Sequence, residues 1–135
     1  MLKKSLLLTL LAVFFVACGG GQSGHKDVKK VIAKMNQAIA ALEVDLKAVK
    51  SADDAAAAFT KFNKTTKGLK PEMDKLQKKY PKLGKKGAKL PADLQAESDK
   101  LEKAGKKMAM AMIGVMMKYG KDPKVMKAMK EMGKM

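Results

Sequence analysis

The chain has 135 residues, of which 47% are hydrophobic, and its 29 lysines against 13 acidic residues give a formal net charge of +16 at pH 7. It has no arginine and few aromatic residues, so it lacks the side chains that read nucleic-acid bases, and we expect no nucleic-acid partner. A single cysteine excludes an intramolecular disulfide, and the charge favours an anionic lipid or polymer as partner, with a purely solubilising lysine surface as the alternative.

The N-terminal segment has the features of a bacterial export signal. Two early lysines precede an apolar run, Leu6–Val16, that is too short to span a bilayer as a mature helix. The residues that follow, Phe15-Val16-Ala17-Cys18, resemble the lipobox at which signal peptidase II cuts bacterial lipoproteins. The resemblance implies that residues 1–17 form the signal peptide. It also implies that Cys18 carries the acyl chains, palmitate among them, that hold the protein on a membrane.

The segment after the cysteine predicts a flexible tether. Residues 18–25 are rich in glycine, lack periodicity and include His25, the only histidine, which we expect to be an exposed linker residue. Gly19 stands where an enteric inner-membrane retention signal would be Asp, and this resembles outer-membrane sorting. We therefore expect a lipoprotein of the cell envelope, anchored at the outer membrane, with residues 26–135 as its single domain.

From residue 28 onward, apolar side chains recur at intervals of three and four, which predicts three long helices. Ser51 is a helix cap before the second helix, and Pro91 begins the third. Gly120 ends the third helix, and Asp122-Pro123 starts a short fourth one. We therefore expect an all-α fold: an antiparallel up-down-up bundle of three long helices plus a short C-terminal amphipathic helix.

The turn between the first two helices has a family resemblance. Ala52-Asp53-Asp54-Ala55-Ala56 is similar to the first interhelix turn of cytochrome b562-like four-helix bundles. That family holds haem through a methionine of its first helix and a histidine of its last. Alignment on the turn places Ile39 at the methionine position, and no predicted helix contains a histidine. The resemblance therefore implies a helical bundle without the haem ligands, and we expect no cofactor.

No pattern in the chain indicates catalysis. A nucleophile needs a neighbouring base, whereas Cys18 is the predicted anchor and His25 lies on the tether. The carboxylates mostly stand beside lysines at helical spacing, as Glu43 does with Lys47, which is typical of exposed ion pairs. We expect a non-catalytic protein with a structural or interaction role.

The C-terminal methionines admit three interpretations. Nine of the twelve lie in the last 28 residues, and the first interpretation is core packing. The second is a soft-metal site for Cu(I) or Ag(I), because thioethers suit these ions. Its candidate ligands are Met108, Met112, Met116, Met126 and Met129. The third is an adaptable face for a partner or a membrane. Its candidate residues are Met110, Ile113, Met117, Met126, Met129 and Met132.

The third helix has a second apolar patch on the side opposite its main stripe. Met110, Ile113 and Met117 form it, and a surface helix that is apolar nearly all round requires a further cover. The short fourth helix is the nearest segment that can fold back. We expect it to lie over this patch.

Overall fold

The computed structural model describes residues 25–83 and 90–133, and over these ranges it is all-helical, without a strand. The predicted signal peptide, the lipidation site at Cys18 and nearly all of the tether lie outside the described residues. Within these ranges, four α-helices and one short 3₁₀ helix follow one another. They are α1 (Lys26–Lys47), α2 (Ala52–Lys79), the 3₁₀ helix (Pro81–Leu83), α3 (Ala92–Tyr119) and α4 (Pro123–Met132).

Two helix starts have the side-chain caps that the sequence predicts. The amide of Asp54 donates a hydrogen bond to Ser51 Oγ at 3.1 Å, which satisfies a free donor in the first turn of α2. At α4, the amide of Lys124 donates to the carboxylate of Asp122 at 2.8 Å, and Pro123 takes the first helical position. Local sequence therefore determines where α2 and α4 begin.

The helices form a bundle in which α1 has a central place. It packs against both α2 and α3, α4 packs against α2, and α2 scarcely touches α3. Polar contacts mark both ends of the bundle. At one end Lys79 Nζ lies 2.6 Å from Asp27 Oδ2, and at the other Tyr119 Oη donates to the carbonyl of Lys50 at 2.9 Å. None of the described helices is long and apolar enough to cross a membrane.

The core receives side chains from all four α-helices. The largest fully buried side chains are Phe59, Ile39, Leu42, Leu94, Met108 and Val125. These residues belong to the apolar stripes at three- and four-residue spacing, because such spacing keeps side chains on one face of a helix. Three polar residues, Asn63, Thr66 and Ser98, are also buried, and Thr66 Oγ1 donates to the carbonyl of Phe62 at 3.0 Å.

The helix α4 docks at a place different from the predicted one. Val125, Ala128 and Met132 are buried, and the helix packs against α2. The prediction that it covers the outer patch of α3 is therefore wrong. Because α2 and α3 scarcely touch, α4 finds an unfilled apolar surface on α2.

The structure also corrects the placement of His25. The residue is half-buried at the N-cap of α1, where its Nδ1 lies 3.3 Å from Asp93 Oδ1 at the start of α3. The centre of its ring lies 5.3 Å from that of Tyr80. His25 therefore belongs to the bundle, and the prediction of an exposed linker residue is wrong. The spacing pattern missed it because its contacts come from residues more than fifty positions away.

Candidate interaction surface on α1 and α3

A stretch of α3 without charge has apolar side chains on both its buried and its exposed sides. Residues 108–117 include no charged side chain. Met108 and Val115 are buried, and Ala111, Met112 and Met116 pack partly against the core. The same ten residues also place apolar side chains in solvent.

Three large side chains on the outer side of α3 remain in solvent. Met110 is 67% exposed, Ile113 is 60% exposed and Met117 is 84% exposed. Single exposed apolar residues are ordinary on protein surfaces. These three, however, are spaced at i, i+3 and i+7, which aligns them along one face over about 10 Å of helix. Gly114, also exposed, lies between them and leaves open space beside its backbone.

The helix α1 adds a fourth exposed apolar residue, Val44, which is 65% exposed. Glu43 on α1 and Lys107 on α3 attract one another across the seam between these helices. At about 100° per residue, the buried Leu42 lies on one side of Glu43 and Val44 lies on the other.

The same geometry holds on α3, where the buried Met108 and the exposed Met110 lie on opposite sides of the helix. Lys107 lies between Met108 and Met110 around α3, as Glu43 lies between Leu42 and Val44 around α1. Because Glu43 and Lys107 attract one another across the seam while Leu42 and Met108 are buried, we place Val44 and Met110 on the same outer side of that seam. We call Val44, Met110, Ile113 and Met117 the apolar patch.

Lysines surround the apolar patch. From residue 100 to residue 121 the chain has six lysines and one carboxylate, Glu102. Exposed lysines flank the patch in the sequences of α1 and α3, and we call five of them the lysine rim: Lys47, Lys103, Lys106, Lys107 and Lys118. A hydrogen bond from Lys47, together with the charges of Lys47 and Lys107, lowers the pKa of Glu43 despite some burial. The surface is therefore apolar in its centre and strongly positive at its edge.

The candidate metal ligands have different environments. Met108 is 2% exposed, Met112, Met116 and Met129 are partly buried against the core, and Met126 is 56% exposed. Residues 25–83 and 90–133 contain no group of three or more His, Cys, Asp or Glu side chains that could hold a metal ion. Thioether coordination by this set stays a prediction of the sequence.

The candidate residues for a partner face also divide into two groups. Met110, Ile113 and Met117 lie on the apolar patch, and Met126 is exposed on α4. Met132 is buried, and Met129 is partly buried, where α4 docks. The structure therefore separates the α3 residues, which share one exposed face, from the two α4 residues that contribute to the core. The spacing pattern missed Val44 because it is a single exposed apolar residue of its helix, and only the packing of α1 against α3 places it on the same side as the methionines of α3.

A shallow groove lies between α1 and α2. Its volume is about 430 Å³, and apolar side chains, including Ala38, Leu42, Phe62 and Leu69, line it. Lys61 Nζ lies 2.8 Å from Asp45 Oδ2 at the edge of the groove, which joins the two helices there. The alanines of α1 account for the groove, because their small side chains do not fill the space beside α2.

A cluster of polar side chains ties the first turn of α1 to the end of α2. Asp27 accepts hydrogen bonds from Lys79 Nζ at 2.6 Å, from the Val28 amide at 3.0 Å and from Tyr80 Oη at 3.2 Å. Burial, the largest single effect, raises the pKa of Asp27. The hydrogen bonds from Lys79, Val28 and Tyr80 outweigh it together and hold this pKa below its usual value.

We expect Asp27→Asn to destabilise the bundle at neutral pH by less than about 1 kcal/mol, because the ion pair is partly exposed. The folded pKa of Asp27 is depressed, so its stabilisation is present above the ordinary Asp pKa of about 4 and is lost as pH falls through the folded value. Urea unfolding at pH 7 and pH 3 measures this. The difference between wild type and Asp27→Asn should shrink at pH 3, and a difference equal at both pH values would contradict the assignment. Asp74→Asn, at an exposed carboxylate on α2, is the control.

No protein-family model, no curated protein and no solved structure matches this chain. The function is therefore inferred from the side chains themselves. The apolar patch and the lysine rim are the surface features that packing within the chain does not explain.

Proposed function

We propose that this protein is a lipid-anchored protein of the bacterial cell envelope with a non-catalytic structural or interaction role. In this proposal Cys18 carries the acyl chains at the outer membrane, and the bundle binds an anionic envelope partner through the lysine rim. The observation that carries the proposal is an exposed face on which lysines surround apolar side chains. Such a face is costly to leave in water unless a partner of opposite charge uses it.

The excess of lysine supports an anionic partner. The chain has 29 lysines and 13 carboxylates, an excess of sixteen, and removal of residues 1–17 with Lys3 and Lys4 leaves an excess of fourteen in the proposed mature protein. Eight of the described lysines form ion pairs with carboxylates, among them Lys47 and Lys106 of the rim. Residues 103–121 contain five lysines and no carboxylate, so lysines outnumber acidic residues along this part of the chain.

An up-down-up arrangement of the three long helices is part of the proposal. Asp27, early in α1, pairs with Lys79, late in α2, whereas Asp45, late in α1, pairs with Lys61, early in α2, which supports opposite directions for α1 and α2. The contact of His25 with Asp93 at one end and that of Tyr119 with Lys50 at the other support a common direction for α1 and α3. In this arrangement the tether joins the bundle at one end, and the apolar patch lies near the other.

Lipid attachment is tested by metabolic labelling with a palmitate analogue in a bacterial host. We expect the full chain to incorporate the label and to sediment with membranes, and we expect Cys18→Ser to lose the label. Gly20→Ser introduces the same residue two positions away and serves as the matched control, which should keep the label. Equal labelling of the wild type and Cys18→Ser would contradict the lipid anchor.

Anion binding by the rim is tested with dextran sulfate as a soluble polyanion and the full chain in detergent micelles. We expect Lys103→Glu, Lys107→Glu and Lys118→Glu in combination to weaken binding by about tenfold or more near 0.15 M salt. The same reversal at three exposed lysines of α2 is the control with matched charge. Its positions are Lys64, Lys67 and Lys70. Equal losses in the two triple variants would contradict a specific role for the rim.

A further inference from the structure

We propose that the apolar patch is a membrane-docking surface that enters the headgroup region of an anionic phospholipid bilayer, so that the bundle lies on its α1–α3 face. This inference rests on the proposed function, because it names the bilayer as the anionic partner of the lysine rim. It goes further by assigning a role to Val44, Met110, Ile113 and Met117.

The composition of the surface matches that of interfacial membrane contacts. Proteins that lie on a bilayer place apolar side chains about 5–10 Å into the headgroup boundary and surround them with lysine or arginine. The patch supplies four large apolar side chains that are 60–84% exposed, and three of them share one face of α3. The rim supplies lysines at both ends of the uncharged stretch, at Lys107 before it and Lys118 after it.

Charge favours a bilayer over a second copy of the chain as the occupant. In a symmetric dimer the same patch would face itself, and each lysine rim would lie against another lysine rim. Like charges placed together across an interface oppose association. An anionic leaflet instead attracts lysines near its surface and also accepts the apolar side chains. The rim therefore selects a partner with negative headgroups and an apolar interior.

The length of the tether agrees with a bundle that lies on its side. Residues 18–24 span at most about 25 Å when fully extended, so the start of α1 stays near an anchored Cys18. Val44 lies eighteen residues after Lys26, which is about 27 Å along the helix. A bundle that lies flat keeps the start of α1 and the apolar patch at similar heights above the membrane. A bundle that stands upright would hold the patch in water.

Tryptophan fluorescence tests the inference, because the natural chain contains no tryptophan. Met117→Trp places a single fluorophore on the patch at its most exposed position, where a larger side chain extends into solvent. Ala57→Trp is the matched control, because Ala57 is a neutral exposed residue on α2, a helix that contributes nothing to the patch. The full chain is inserted in vesicles that contain phosphatidylglycerol and a lipid brominated on its acyl chains.

We expect the emission of the Met117→Trp variant to shift to the blue and to be quenched about twofold or more by the brominated lipid, because a docked patch reaches the acyl boundary. The Ala57→Trp variant should emit as in water and be quenched little. Vesicles of phosphatidylcholine alone, or a salt concentration of about 1 M, should reduce the quenching of Met117→Trp. Ile113→Trp, at a second position on the apolar patch, should show the same blue shift and quenching. Agreement of the two variants shows that the result is not specific to position 117.

Three results would overturn the inference. Equal quenching of Met117→Trp and Ala57→Trp would mean that the patch does not contact the bilayer. Quenching of Met117→Trp that is the same in neutral and anionic vesicles would exclude a role for the lysine rim in docking on the bilayer. A blue shift that depends on protein concentration in detergent, without quenching in vesicles, would assign the patch to a second copy. Each of these results leaves the dextran sulfate experiment unaffected, so failure of the docking inference is distinguishable from failure of the proposed function.

Discussion

Phe59→Ala is expected to lower the free energy of unfolding by about 3–5 kcal/mol, the largest loss for a single substitution in this chain. Phe59 is 0% exposed and is the largest of the fully buried side chains. Its removal loses the transfer free energy of the ring and leaves a cavity that the surrounding helices fill only in part. A domain of this size has about 5–15 kcal/mol of stability in total, so the loss is a large fraction of it.

This loss is measured by urea unfolding, followed by the far-ultraviolet circular dichroism of the helices. Val44→Ala is the control, because Val44 is 65% exposed and its truncation should change stability by less than about 0.5 kcal/mol. A loss below about 1 kcal/mol for Phe59→Ala would mean that the ring is not enclosed by the bundle. A variant too unstable to purify is replaced by Phe59→Leu, for which we expect a smaller loss of the same sign.

Ending the chain after Gly120, which removes α4, is expected to lower the free energy of unfolding by about 3–6 kcal/mol. Burial of each of two large side chains of α4 contributes about 1.5–3 kcal/mol. Those are Val125, which is 0% exposed, and Met132, which is 4% exposed. Removal of α4 also uncovers the apolar surface of α2 against which it packs, so the truncated chain should bind a hydrophobic dye.

Two point variants separate docking of α4 from a general effect of truncation. Val125→Ala should cost about 2 kcal/mol, because it removes two buried methyl groups. Met126→Ala, one position along, should cost less than about 0.5 kcal/mol, because Met126 is 56% exposed. If the melting temperature of the truncated chain hardly changes, α4 is not docked in solution, and its methionines are free for a partner or a metal.

Local chemistry accounts for the parts of this structure that the sequence predicts. The caps at Ser51 and Asp122, the proline after Asp122 and the three- and four-residue spacing act within a few residues, so they can be seen in the chain itself. The same spacing indicates which side chains are buried, because one face of each helix is apolar. The membrane anchor at Cys18 belongs to this group too, since its prediction depends on contiguous residues, and it stays a prediction.

Packing between helices decided where α4 docks, which short-range sequence patterns do not indicate. The fourth helix was expected over Met110, Ile113 and Met117, yet it packs against α2 and leaves these side chains in solvent. Nothing in α3 or α4 indicates that α2 and α3 scarcely touch, and that separation creates the apolar surface that α4 covers. The α3 residues of the apolar patch are therefore exposed because α4 packs against α2 and not over them.

By itself the sequence determined the helices, their starts and their buried faces, because capping and periodicity act over one or two turns. The tertiary structure alone decided which helix α4 covers, which residues join Met117 on the surface, and that His25 belongs to the bundle beside Asp93 and Tyr80. These outcomes depend on contacts between residues far apart in the chain. Each apolar helix face can pack against more than one other face. Which faces pack together depends on the shape of the whole bundle and not on any one segment.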